Sequence, residues 1–319
     1  MLRRLLRVLL ALVALAFLGY GLATNWTETT QALARLSPWA VLGAFGAVLA
    51  GQLCMLVAWR QIMAGLGTRL PLRVAGRIMF VGQLGKYIPG AVWAYAAMMD
   101  LGRDHGSPPR RTFATISLGL VVNLGVGISV AAATLGSHEA VRQAWYVVLL
   151  VPVIIVCLHP KVLTWGLNLA LRIARKEPLE SALPGRTVVV TVAWTVLGWF
   201  VYGLHTWLLT GRADLYLVAT GAYAFAWCTG ILTFVVPAGV GVREGALVLV
   251  LGPVIGTAPA IAVAIVSRLA FTLADAVAAG VAFVLGRQMP SSVPAYAAQN
   301  GSGSTALTPD RNLSGSPEA

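Results

Sequence analysis

Long apolar runs restrict this chain more than any other feature of its sequence. Residues 112–135 and 187–209 contain no Asp, Glu, Lys or Arg, and a helical run of about 20 apolar residues matches the hydrocarbon thickness of a bilayer. Across the 319 residues, 58% are hydrophobic and only 11% are charged, whereas soluble domains carry about 25% charged residues. The sequence therefore predicts an all-α polytopic integral membrane protein with about seven or eight transmembrane helices.

A single membrane domain is predicted for residues 1–287, because apolar runs and short loops alternate throughout this region. Three arginines, Arg3, Arg4 and Arg7, lie before or at the start of its first span, at 5–23, which favours a cytoplasmic N-terminus. After Arg287 the chain turns to Pro, Ser, Gly, Asn and Ala, a composition typical of disorder. We therefore predict a disordered polar tail at 288–319.

The net charge of +12 first suggests a nucleic-acid partner, but the positions of the charges argue against one. Most Lys and Arg residues lie in short loops between apolar runs. Among the basic residues, only Arg35, Arg142 and Arg212 fall in the predicted outer loops, as the positive-inside rule requires. The pattern predicts a multi-pass protein of the plasma membrane with no nucleic-acid partner.

Two short segments interrupt the apolar pattern, GQLGKYIPGAVW at 82–93 and PAGVGVREG at 237–245. Gly and Pro free backbone groups that hydrocarbon cannot satisfy, so such segments persist only when they are buried in protein or line a wet cavity. Basic loops flank 78–99 on both sides, which favours a segment that enters and leaves the membrane on one side. We therefore predict two re-entrant or broken helical elements.

The order of these segments indicates an internal repeat. Two spans, an interrupted segment and a long span occur over about 5–135 and again over about 187–285. Gly/Pro-interrupted segments at matching positions of two halves are typical of a transporter binding site. The two interrupted segments are thus predicted to form one site.

Five charged residues fall inside the embedded regions: Lys86, Arg243, Glu244, Arg268 and Asp275. An isolated charge at the bilayer centre costs about 3 kcal/mol on insertion scales, so such residues pair or face a wet interior. Lys86 and Arg243, beside glycine-rich backbone, suit an anionic head group, most simply phosphate; the alternative is that each snorkels towards lipid phosphates at the interface. For Arg268 and Asp275, two turns apart on one predicted helix, tying helices together is as reasonable as a transport role.

The candidate lipid-binding set joins these charges to the Gly, Pro and aromatic residues around them. Tyr87 and Trp93 also suit an aromatic belt at the membrane interface. The full set is Lys86, Tyr87, Pro89, Gly90, Trp93, Gly239, Gly241, Arg243, Glu244, Arg268 and Asp275.

Signatures of known catalytic sites are missing from the sequence. It contains no H-E-x-x-H, G-x-S-x-G or Walker A pattern, and Cys54, Cys157 and Cys228 lie singly in apolar runs without metal-ligand spacing. We expect no metal or cofactor, and a transporter rather than an enzyme. Two alternatives stay open: an integral membrane enzyme of lipid or cell-envelope glycan assembly, and a scaffold whose embedded charges only hold helices together.

The motif LGKYIPGAVW at 84–93, followed by PAGVGVREG at 237–245, resembles the lysylphosphatidylglycerol synthase transmembrane region, a flippase-like membrane domain. The resemblance implies that an anionic or aminoacylated phospholipid, or a polyprenyl-linked lipid, moves between leaflets through a cavity lined by Lys86, Arg243, Glu244 and Arg268. A tail of about 30 residues is too short for the soluble aminoacyl-transferase domain of bifunctional members. We therefore expect no lipid aminoacylation.

Overall fold

The computed structural model describes residues 24, 26–87, 92–135, 150–173, 183–233 and 239–287, and all regular secondary structure within these ranges is helical. Five helices in them are long and apolar enough to cross a membrane: Pro38–Gly65, Pro109–Leu135, Gly185–Thr210, Ala213–Leu232 and Thr257–Leu285. The prediction of a multi-pass all-α membrane protein is confirmed for these ranges. The first predicted span, at 5–23, and the predicted tail lie outside the described residues, so a total of seven or eight spans stays a prediction.

The helices of the described ranges are numbered here in chain order. They are α1 (Trp26–Arg35), α2 (Pro38–Gly65), α3 (Leu72–Gly76), α4 (Val92–Arg103), α5 (Pro109–Leu135), α6 (Leu150–Cys157), α7 (Pro160–Ile173), α8 (Gly185–Thr210), α9 (Tyr216–Leu232), α10 (Val242–Ile255) and α11 (Thr257–Arg287). A π-helical turn (Arg77–Val81) continues α3, and 3₁₀ turns occupy Leu84–Tyr87 and Ala213–Leu215.

Small residues let the central helices approach closely. A Cβ on Gly51 of α2 would lie 2.4 Å from the ring of Tyr202 on α8, and one on Gly198 of α8 would lie 2.7 Å from Cε of Met55. Close packing at small residues is the usual way for membrane helices to associate, because lipid tails give no hydrophobic drive between them. The α2–α8 pair is thus held by van der Waals contact and forms the centre of the described fold.

The first interrupted segment is a helical hairpin with tightly packed arms. A Cβ on Gly82 would lie 3.1 Å from Cα of Met98, and one on Gly85 would lie 2.6 Å from the backbone nitrogen of Ala94. These contacts run in opposite chain directions, so α4 folds back along the π-helical and 3₁₀ turns. Residues 88–91, between the two arms, lie outside the described residues. A 3₁₀ turn ends the described part of the first arm at Tyr87, and α4 begins at Val92; the re-entrant or broken element stays a prediction.

The second interrupted segment brings the start of α10 back against the end of α9. Gly239 and Gly241 have φ of 66° and 81°, which L side chains rarely adopt, and a Cβ on Gly239 would lie 3.1 Å from Cα of Gly230. Helix α10 has 14 residues, about 21 Å at 1.5 Å per residue, and so is shorter than a bilayer core of about 30 Å. Gly256, with φ of 93°, then separates it from α11. Re-entry at this segment, and the internal repeat, remain predictions.

Candidate functional site

Asp275 of α11 lies at the centre of a buried polar network and is only 8% exposed. Its Oδ2 forms a 2.6 Å ion pair with Nζ of Lys86 and accepts a 2.5 Å hydrogen bond from the hydroxyl of Tyr87. Its Oδ1 accepts a 2.9 Å hydrogen bond from Nε2 of Gln52 on α2. Three donors therefore satisfy one carboxylate, and they fix the 3₁₀ turn of the hairpin to α2 and α11.

Glu244 forms a second polar link, at the start of α10. Its Oε2 accepts a 2.6 Å hydrogen bond from the backbone N–H of Gly241, which caps a helix end that favours negative charge. Its Oε1 lies 3.5 Å from Nη1 of Arg268. Glu244 therefore pairs with Arg268 of α11 and not with its sequence neighbour Arg243.

Arg243 differs from the other site charges because aromatic rings, rather than a carboxylate, hold it. Its guanidinium carbon lies 4.7 Å from the ring centroid of Tyr223 and 4.8 Å from that of Phe271, and the two rings stack 5.1 Å apart. Its Nη2 is buried and has no hydrogen-bond partner among the described residues. The rings therefore fix the guanidinium and leave one donor edge unused.

The aromatic layer around Tyr223 extends into the core of the protein. His205 of α8 packs edge-on against Tyr223 with ring centroids 4.5 Å apart. Its Nε2 lies 2.9 Å from Oγ of Ser267 on α11, and its Nδ1 contacts the carbonyl of Tyr202. This chain of contacts joins α8, α9 and α11 beneath Arg243, so the guanidinium rests on a rigid support.

A cavity opens between α9, α10 and α11 at this point. The cavity is small, about 10 Å³, which is room for about one water molecule. Its polar lining comes from Tyr223, Arg243, Glu244, Ser267 and Arg268. Both predicted arginines thus line one cavity. Lys86 does not belong to this lining. Its ammonium group is paired with Asp275.

The charges of the two interrupted segments form one electrostatic cluster. Lys86 lies close enough to Arg243 and Arg268 for their charges to interact, and Arg243 likewise interacts with Glu244 and Asp275. The cluster contains three cations and two carboxylates and so carries one positive charge in excess: Lys86, Arg243 and Arg268 against Glu244 and Asp275. Since the two carboxylates pair with Lys86 and Arg268, the excess charge falls on Arg243.

The remaining predicted residues serve different roles or lie outside the described ranges. Tyr87 holds Asp275, and Trp93 lies 55% exposed on α4. Gly239 and Gly241 shape the turn before α10. Pro89 and Gly90 lie outside the described residues. Within the described ranges, no group of three or more His, Cys, Asp or Glu residues is arranged to hold a metal ion.

Several site residues were not predicted from the sequence: Gln52, His205, Tyr223, Ser267 and Phe271. A role for Gln52 could have been predicted, because it is a polar amide in an apolar stretch of the sequence. Such residues usually form hydrogen bonds between membrane helices. The aromatic residues have no such signal, since the spans contain many others. His205 is a single histidine in the apolar run 187–209, and its role becomes visible only in the packing of α8 against α11.

Comparison with known families covers most of the chain. Residues 4–279 match the family described as the lysylphosphatidylglycerol synthase TM region. The match includes both interrupted segments and every residue of the candidate site. A search of curated proteins gives no match.

Proposed function

The chain belongs to the lysylphosphatidylglycerol synthase transmembrane family, and from that premise we propose that it moves an anionic lipid between membrane leaflets, with the head-group phosphate bound at Arg243. The family and the apolar helices make it a multi-pass membrane protein related to lipids. The lipid is an anionic or aminoacylated phospholipid, or a polyprenyl-linked lipid with the same phosphate chemistry.

The observation that carries this proposal is the buried Nη2 of Arg243, which has no hydrogen-bond partner among the described residues. A buried donor without a partner costs about 1–3 kcal/mol, and more when the group is charged. A phosphate oxygen would remove that cost, and guanidinium groups bind phosphate through two parallel N–H donors. Tyr223 and Phe271 hold the guanidinium carbon within 4.8 Å of both ring centroids, and a phosphate would reach Nη2 once the small cavity beside it widens.

Other features of the cavity support an anion at this place. Arg268 lines the same cavity and supplies a second positive charge, partly balanced by Glu244. Ser267 adds a hydroxyl that can donate to a phosphate oxygen. The cavity also adjoins the N-terminal end of α10, where the helix dipole favours negative charge.

The outer face of α11 offers a surface for the acyl chains. Leu269, Leu273, Val277 and Val281 recur at every fourth position and are 63%, 56%, 38% and 54% exposed. Residues spaced by four lie on one face of a helix, so they form an apolar stripe beside Arg268. A lipid could place its phosphate in the cavity while its chains stay against this stripe in the bilayer.

Lipid redistribution in vesicles tests the proposal. Purified protein is reconstituted with acyl-labelled fluorescent phosphatidylglycerol, and dithionite bleaches the label in the outer leaflet. We expect wild-type protein to speed exchange between leaflets and Arg243→Ala to lower the rate to that of protein-free vesicles. Arg103→Ala is the matched control, because Arg103 lies exposed on α4 and, within the described ranges, its ion-pair partner is the equally exposed Asp100 at 4.0 Å.

The outcomes separate a transporter from the other classes. An unchanged rate in folded Arg243→Ala protein would remove Arg243 from the site. No exchange by wild-type protein would overturn the transport proposal. Mass spectrometry of the same lipids addresses the enzyme alternative, since translocation changes sidedness without forming or breaking a covalent bond.

A further inference from the structure

One carboxylate oxygen of Asp275 on α11 binds two residues of the hairpin. Oδ2 binds both Nζ of Lys86 and the hydroxyl of Tyr87, and these are consecutive residues of the 3₁₀ turn. Among the described residues, Gln52 binds the other oxygen. Any change of charge at this carboxylate therefore acts on the attachment of the hairpin and on the pairing of Lys86 at the same time.

Protonation and head-group binding change the charge of the cluster in opposite directions. The cluster carries one positive charge in excess in the arrangement seen here. A proton on Asp275 would add one positive charge and release Lys86 from its ion pair. A monoanionic phosphate would then restore the original charge and could bind the freed ammonium as well as Arg243.

We propose that Asp275 is a proton-binding site coupled to the head-group site, so that one proton enters as one head-group charge binds. The inference rests on the proposed function, because it names the ion that accompanies the lipid. Intramembrane acidic residues paired with a cation are typical of proton relays in transporters. Linkage is reciprocal, so the proton must favour the lipid by the same factor as the lipid favours the proton.

The ionisable groups nearest to Asp275 come from each element packed around it. Lys86 and Tyr87 face it from the hairpin, Tyr202 from α8 and Arg243 from α10. On α11 itself, Arg268 lies two turns away and pairs with Glu244. Lys86 is the cation in direct contact with this carboxylate, so its pairing is the one that protonation changes most.

More distant charges lie along the same helix. Arg77 of the π-helical turn stacks over Phe283, with 5.8 Å to the ring centroid. Glu28 and Arg35 of α1, which also packs against α11, are exposed. The described partners of the Asp275 oxygens are Lys86, Tyr87 and Gln52, so a proton response at Asp275 can be separated from that of these more distant groups by substitution.

Infrared difference spectroscopy tests proton binding without relying on transport. Wild-type protein in lipid is compared at acidic and neutral pH, and a protonated carboxyl band is expected that disappears in Asp275→Asn. Asp100→Asn is the matched control, because Asp100 is an exposed carboxylate on α4. Asp275→Glu keeps a titrating carboxyl and should retain a band, which covers the case in which Asp275→Asn does not fold.

The coupling is measured with short-chain phosphatidylglycerol as the probe. At fixed pH the probe should raise the protonated fraction in wild-type protein and should have no effect in Arg243→Ala. In vesicles, the exchange rate should rise by up to about tenfold per pH unit on acidification, the limit for one proton, and should be insensitive to pH in Asp275→Asn.

Each outcome bears on one of the two claims. A wild-type spectrum without a carboxyl band assigned to Asp275 overturns the proton site, whether or not lipid moves. A band that does not respond to the probe overturns the coupling, as does exchange at a rate independent of pH. A band that responds to the probe in protein that moves no lipid supports the coupled site and overturns the transport function alone.

Discussion

Gly85 offers the sharpest test of how the hairpin presents its residues. In Gly85→Ala the new Cβ would lie 2.6 Å from the nitrogen of Ala94, 2.7 Å from the carbonyl carbon of Trp93 and 2.8 Å from Cα of Ala94. All three atoms are backbone, so no side-chain rotation relieves the overlap. The two arms must separate, and Lys86, the next residue, must move with them.

The expected magnitude follows from the size of this overlap. Overpacking of a tight interior costs about 1–3 kcal/mol, and a backbone clash belongs at the upper end of that range. At about 2–4 °C per kcal/mol, a cost of about 3 kcal/mol lowers the melting temperature by about 6–12 °C. Lipid exchange should fall as well, because the contact of Lys86 and Tyr87 with Asp275 is disturbed.

Gly280→Ala is the matched control for this substitution. Gly280 lies in α11, and a Cβ there meets no atom within 4 Å. The change should leave the melting temperature equal or raise it, with a gain of up to about 0.4–1 kcal/mol in the free energy of unfolding. The assays are thermal unfolding in detergent and exchange of fluorescent phosphatidylglycerol in vesicles. If Gly85→Ala matches wild type in both assays, the hairpin contact described here is wrong.

Three further substitutions probe the site. Tyr87→Phe removes one of three donors to Asp275. Because Tyr87 is 38% exposed, we expect thermal unfolding to show a loss of only about 1 kcal/mol in the free energy of unfolding, with lipid exchange retained. Complete loss of exchange would show that the hydroxyl binds lipid. Phe271→Leu removes one of two cation–π contacts to Arg243, each worth about 0.5–2 kcal/mol. Calorimetry should therefore show that short-chain phosphatidylglycerol binds about 2- to 30-fold more weakly. Unchanged affinity would contradict the role given to the ring. Arg243→Lys keeps the charge but loses the planar fork, and its exchange rate should lie between those of wild type and Arg243→Ala; a rate equal to wild type would reduce the role of Arg243 to charge alone.

Sequence reasoning could predict the embedded charges but not their partners. Lys86 and Asp275 were each identified because a charge inside a span needs a reason. Their pairing depends on how the hairpin packs against α11, and the related contacts of Asp275 with Tyr87 and Gln52 join residues 188 and 223 positions apart. No local pattern predicts contacts at such separations. The sequence therefore places Arg268 and Asp275 two turns apart on one helix but does not show that Arg268 pairs with Glu244 and Asp275 with Lys86.

Local chemistry was more informative at α10. Gly241 followed three residues later by Glu244 is the spacing of a capping interaction, and the structure shows that bond at 2.6 Å. The glycine-rich surroundings of Arg243 also led us to predict a binding role for it, and that role stays a proposal. Its aromatic support could not, because Tyr223 and Phe271 belong to α9 and α11 and look like ordinary residues of apolar helices.

The central claim is that a lipid phosphate binds the free edge of Arg243. A structure determined by cryo-electron microscopy in nanodiscs rich in phosphatidylglycerol tests it most directly. We predict density for a head group in the cavity, with a phosphate oxygen about 2.7–2.9 Å from Nη2 of Arg243 and acyl chains along the Leu269–Val281 stripe. An Arg243 edge bonded to a protein carbonyl, with ordered anionic lipid only elsewhere on the surface, would contradict it.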